Sequence, residues 1–152
     1  GRQDCIYFGT IVPSLQIVCD AKGGMVRMES VRSIEDLSKR GFDIDAGIAM
    51  CAGDEEIYVE VLDAAREEGK EKIPLIRELY ENKDFERYCV EVHGLKNAMK
   101  TIGAEHLSAA AKTQEFAVKE NELQLVEDGV EPLLREYQQV VDALEELFES
   151  IR

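Results

Sequence analysis

The sequence predicts an all-α domain, a bundle of antiparallel helices preceded by an N-terminal extension with the pattern of a short β-hairpin. Three observations carry that prediction. Residues 84–102 place Phe85, Tyr88, Val92, Leu95, Met99 and Ile102 at steps of 3, 4, 3, 4 and 3, which is one stripe along a helix. Residues 130–151 repeat the pattern with Val130, Leu133, Leu134, Tyr137, Val141, Leu144, Phe148 and Ile151. The connections between the long helical stretches are short, which favours antiparallel neighbours. With 152 residues and 45% hydrophobic content, the chain has the material for one domain with its own core.

Residues 1–30 differ from the rest and form an N-terminal extension to which no role is assigned. Cys5–Val12 and Leu15–Cys19 are rich in β-branched and aromatic residues around Pro13 and Ser14, a pattern of two short strands and a turn. Gly23 and Gly24 then break it, and Met25 and Met28 each offer a start for the chain. The helical domain spans residues 31–152. Ser33 is placed to cap a short helix that Gly41 ends, and Asp43 caps a second that runs through Cys51. Asp54 starts a longer helix with Ile57, Val61, Leu62 and Ala65 inward, and Gly69 stops it. Residues 72–82 form a separate helix with Pro74 in its first turn, where the missing N–H is harmless. Asp84 and Gly103 bound the most regular helix. The next spans about residues 104–119 with Leu107, Ala110, Ala111 and Val118 inward, and the last begins near Val130 with Pro132 in its first turn.

Charge excludes some partners. Thirty-two acidic residues against 18 basic ones give a net charge of -14, which repels nucleic-acid backbones and anionic membrane surfaces alike. No apolar run approaches the roughly 18 to 20 residues of a membrane helix, and no basic leader precedes the apolar stretch near the start, so the expected location is the cytoplasm. Cys5, Cys19, Cys51 and Cys89 form no C-x-x-C pair, and the two histidines, His93 and His106, are not clustered with them. Reduced thiols are expected, and no metal site.

His93 is the residue that carries chemistry. It follows Val92 of the buried stripe, so a rotation of about 100° turns its ring away from the centre of the core. Its neighbours along the helix are Cys89, Val90, Lys96, Asn97 and Lys100. Two lysines on that face give a positive spot in an acidic chain, and a neutral imidazole is available near neutral pH to attack phosphorus. Gly94 and Ala98 keep the surroundings low for an approaching partner. His106, at the start of the following helix without a lysine close on its C-terminal side, reads as a solvent-facing residue.

The string from Glu91 through His93, Gly94, Leu95, Lys96 and Asn97 to Gly103 and Leu107 resembles the signature of histidine phosphotransfer (HPt) domains. That signature has the phosphorylated histidine, Leu at +2, Lys at +3, a small residue at +4, Gly at +10 and Leu at +14. His93, Leu95, Lys96, Gly103 and Leu107 match; the +4 position, often glycine, is Asn97. Ala111 and Glu115 resemble the family's next helix, and the segments 41–47 and 51–58 resemble its N-terminal part. The similarity covers roughly residues 33–150. It implies an antiparallel four-helix bundle with additional short helices. It also implies a phosphocarrier in which His93 accepts a phosphoryl group from a receiver-domain aspartate and passes it to another receiver. Lys96 would stabilise the phosphoryl group. Cys89, Gly94, Asn97, Lys100, Gln114 and Glu115 are the candidates for the partner-binding surface, with Gln114 and Glu115 also placed to orient the ring.

The implied partners are response-regulator receiver domains, with a hybrid histidine kinase as a further candidate. The resemblance implies no cofactor in this chain, because the Mg²⁺ of the reaction belongs to the receiver. It also implies a phosphotransfer intermediate rather than an ATP-dependent kinase, and no G-x-x-x-x-G-K-[ST] loop is present. A kinase dimerisation module would carry an acidic residue after its histidine and proline at +5, where this chain has Gly94 and Ala98. The alternative reading is a non-catalytic helical module that docks a signalling partner without turning over phosphate.

Overall fold

In the computed structural model, which describes residues 31–151 and the strands at 15–19 and 25–29, the apolar stripes become helices packed on one another. Among the described residues there are six. A 3₁₀ helix, Ile34–Arg40, precedes α1 (Ile44–Met50), α2 (Glu55–Glu81), α3 (Phe85–Ile102), α4 (Glu105–Lys119) and α5 (Leu123–Ile151). Helix α3 is capped by Asp84, whose carboxylate accepts from the Arg87 N–H at 3.3 Å. Its Tyr88, Val92, Leu95, Met99 and Ile102 are all buried, as their spacing predicts.

Four helices make a closed ring of contacts, α2 to α3, α3 to α4, α4 to α5 and α5 to α2. The cross-links give their directions. Lys72 of α2 meets Glu91 of α3, and the Tyr58 hydroxyl, earlier in α2, reaches the Ile102 carbonyl late in α3. Gln114 of α4 reaches Leu125, and His106 reaches Glu136. Arg66 of α2 bonds Glu145, while Arg77 bonds Glu131. In each of these three pairs the cross-links run in opposite directions along the two helices. Arg66 is buried, contacts Asp63 as well as Glu145, and stacks on the Phe148 ring at 5.6 Å, so its charge is satisfied on every side.

The far end of the bundle is closed by α1. Gly103 takes the left-handed conformation, φ +85°, and its N–H meets the Lys100 and Met99 carbonyls to end α3. Its own carbonyl accepts from the Asp43 N–H at 2.8 Å, and a Cβ at Gly103 would overlap the Asp43 backbone. The Tyr58 hydroxyl donates to the Ile102 carbonyl at 2.8 Å, satisfying another group that the helix end leaves open. The N-terminal approach is pinned by Glu146, which accepts from the Val31 N–H at 3.0 Å and from Arg40 at 3.1 Å. Among the described residues, no helix is long and apolar enough to cross a membrane.

Several expectations need correction. Gly69 does not stop a helix and residues 72–82 are not separate: α2 is continuous over 27 residues. Gly69 is instead a close-approach position, where a Cβ would overlap Val141 and lie 3.1 Å from the Tyr137 ring. Pro74 is exposed, so water can reach the Lys70 carbonyl that it leaves without a partner. The last helix begins at Leu123 rather than Val130, with Val126 already buried. Ser33 stands at the start of a 3₁₀ helix but makes no side-chain cap bond; Asp36 accepts from the Arg32 N–H at 2.9 Å instead. Ile57 and Ile151 are exposed, Tyr58 taking the inward place that Ile57 was assigned. Leu15–Cys19 is a strand paired antiparallel with Met25–Glu29, Leu15 opposite Glu29. The other segment read as a strand, Cys5–Val12, lies outside the described residues.

Candidate functional site

The site is built on the α3–α4 pair. Rotation past Val92 leaves the His93 side chain 52% exposed on the outer edge of the seam. The Ser108 hydroxyl of α4 donates to the Lys96 carbonyl of α3 at 2.8 Å and fixes the register of the two helices. That register sets Glu115, two turns further along α4, against the ring.

Glu115 is the centre of the arrangement. Its side chain is only 7% exposed, and three groups converge on it. His93 Nδ1 lies 2.8 Å from Oε2, Lys96 Nζ 2.8 Å from Oε1, and Lys119 Nζ 2.8 Å from Oε2. Hydrogen bonds from Lys119 and Lys96 hold the carboxyl down at about 2, against burial, which pushes it up; His93 adds to the lowering. Glu115 is therefore a carboxylate at any pH near neutral. A carboxylate facing Nδ1 fixes the tautomer: Nδ1 carries the proton and donates, and Nε2 keeps its lone pair. Nε2 is met by the Asn97 side-chain amide, Nδ2 at 3.3 Å, one turn along the same helix.

The lysines are placed differently from the expectation of a free positive spot. Lys96 and Lys119 are both paired with Glu115, because a buried carboxylate needs counter-charge. Two ammonium groups against one carboxylate still leave a net charge of +1 beside the ring. Lys100 is 63% exposed and 3.7 Å from Glu105, two turns from His93. Gly94 is exposed with open space where a Cβ would stand, and Cys89 is a half-buried free thiol one turn before His93.

Of the two α4 candidates, only Glu115 faces the histidine. Gln114 is 2% exposed and belongs to the core, where it accepts from the Tyr88 hydroxyl at 2.5 Å and donates to the Leu125 carbonyl at 3.2 Å. A rotation of about 100° per residue separates the two neighbours. Sequence reasoning missed Lys119, although a Glu–Lys pair at i, i+4 was there to be read. It also missed Phe116, 56% exposed beside Glu115, while Val90, 64% exposed, was noted only as a neighbour of His93. Lys112, Phe116 and Lys119 share the outer face of α4, and Val90, Gly94 and Asn97 that of α3.

The His106 ring is 86% exposed, and its Nδ1 lies 2.5 Å from Glu136 Oε2. No ammonium group approaches that pair among the described residues.

A family model described as Hpt domain matches residues 60–150 of the chain. No curated protein and no solved structure matches it.

Proposed function

The chain belongs to the Hpt domain family, whose members carry phosphoryl groups on histidine in phosphorelays, and on that footing we propose that His93 is the acceptor, loaded from one receiver-domain aspartate and unloaded to another. One observation carries the assignment: the buried Glu115 carboxylate, 2.8 Å from Nδ1, leaves the Nε2 lone pair as the nucleophile on the outer face. The four-helix antiparallel bundle is the rigid frame that holds this geometry.

The step follows from that tautomer. The Nε2 lone pair attacks the phosphorus of an aspartyl phosphate; the N–P bond forms and the P–O bond to the aspartate breaks. The aspartate carboxylate leaves with the bonding pair. No proton moves, because Nδ1 keeps its hydrogen on Glu115. The ring becomes formally cationic and the adjacent carboxylate stabilises it. Lys96 and Lys119, held at the same carboxylate, supply positive charge on the face from which the phosphoryl group would arrive. Transfer onward is the same step reversed. The Mg²⁺ at the aspartate belongs to the receiver.

The outer face fits such a partner. Val90 of α3 and Phe116 of α4 offer exposed apolar surface, Gly94 leaves room, and Lys112 and Lys119 suit an acidic phosphorylation pocket. Incubation with a phosphorylated receiver should place an acid-labile, base-stable label on the protein, none on His93→Gln, and a normal amount on His106→Gln. Label persisting on His93→Gln sinks the assignment. Absence of label with every receiver tried supports the non-catalytic docking module instead.

A further inference from the structure

We propose that Asn97 is a latch on His93 Nε2: it slows both the gain and the loss of the phosphoryl group and so lengthens the time for which it is held. The inference rests on His93 being the acceptor.

Asn97 Nδ2 lies 3.3 Å from Nε2. Since the Nδ1 proton points at Glu115, Nε2 can only accept, and the amide must present its NH₂ group. That bond occupies the lone pair along which phosphorus has to arrive. The side chain must swing away before the N–P bond can form, and its exposed position leaves it free to do so. Once Nε2 carries the phosphoryl group, the same NH₂ group is within reach of the phosphoryl oxygens and donates to them. It is a neutral donor, unlike the two lysines, and sits on the opposite ring nitrogen from their carboxylate. The amide bond is thus made before and after transfer and absent during it. A contact of that kind raises the barrier in both directions. It also shields the N–P bond from water between transfers.

The test compares wild type with Asn97→Ala and Asn97→Asp in three measurements. These are single-turnover labelling from a saturating phosphorylated receiver, the lifetime of the isolated phosphoprotein, and the ¹⁵N resonance of Nε2 before phosphorylation. Asn97→Ala should gain label about threefold faster and lose it about threefold sooner, the scale of one neutral hydrogen bond. Its Nε2 resonance should move downfield, toward an unbonded ring nitrogen. Asn97→Asp should gain label at least about tenfold more slowly, because a carboxylate at Nε2 repels the phosphoryl group. Asn97→Ala labelled at the wild-type rate or more slowly, with an unchanged lifetime and Nε2 resonance, overturns the latch. Wild type that takes no label at all overturns the acceptor assignment instead, so the two failures are distinct.

Discussion

The molecule holds two histidine–glutamate pairs. In both, Nδ1 of an exposed imidazole meets a carboxylate on a neighbouring antiparallel helix, at 2.8 Å for His93 with Glu115 and 2.5 Å for His106 with Glu136. The ring and its partner are therefore not what distinguishes the candidate site. The surroundings are. Glu115 is 7% exposed and anchored by Lys96 and Lys119; Glu136 is 24% exposed, and among the described residues no lysine or arginine approaches it. A buried, charge-compensated carboxylate holds a ring still and leaves spare positive charge for an anion. A half-exposed one does neither, because solvent competes for the contact.

That contrast makes ranked predictions. The largest effect is expected at the carboxylates. Glu115→Ala should slow phosphoryl acceptance about 10- to 100-fold, the scale of a charge-assisted hydrogen bond, whereas Glu136→Ala should stay within about twofold. Equal rates for the two variants, measured with the same phosphorylated receiver, would break the distinction.

The lysines come next. Lys96→Ala should slow transfer by roughly tenfold, and Lys119→Ala, at a more exposed ammonium, by about threefold. Raising salt should shrink the Lys119 effect more than the Lys96 effect; the reverse order would mean that exposure does not set their strengths.

Acid stability is the third measure. The Glu115 carboxyl is held at about 2, below its ordinary value of 4.5, so its stabilising contribution is present above about pH 4.5 and is lost as pH falls from there toward 2. Glu115→Gln lacks that titration. Denaturant unfolding should show it less stable than wild type at pH 7 by about 2 kcal/mol, after discounting the exposure of Lys119, with the gap closing by about pH 2. A gap that stays constant with pH would assign the loss to packing rather than charge.

The smallest effect belongs to His106→Gln, within about 0.5 kcal/mol in stability at neutral pH. A larger loss would show that the exposed pair carries structural weight.

Much of this was legible in the residues. The steps of Phe85 to Ile102, the caps Asp43, Asp54 and Asp84, and the terminator Gly103 all act locally, and local rules predicted them. Gly69 and Pro74 misled for a different reason. Their propensities say break, but Val141 and Tyr137 pack where a Gly69 side chain would be, and tertiary contact outweighs propensity. The early start of α5 depends on Val126 finding the core, again a non-local event. At the site, the candidates His93 and Lys96 come from spacing and from the family resemblance, and Glu115 only as one of two adjacent candidates on the next helix. The turning of Gln114 into the core was not legible, because it depends on the Tyr88 hydroxyl, 26 residues away.

Gly103 carries one more consequence. Two independent constraints forbid a side chain there: the left-handed backbone that ends α3, and the Asp43 backbone lying where a Cβ would go. It lies ten residues from His93, or about 15 Å along the helix axis. In a mutational tolerance map this position would be expected to score as harshly as the proposed acceptor, His93, so such a map would draw the candidate site too large. Separating the two needs a measurement of folding beside one of phosphate, since a Gly103 substitution fails in both and a His93 substitution in only one.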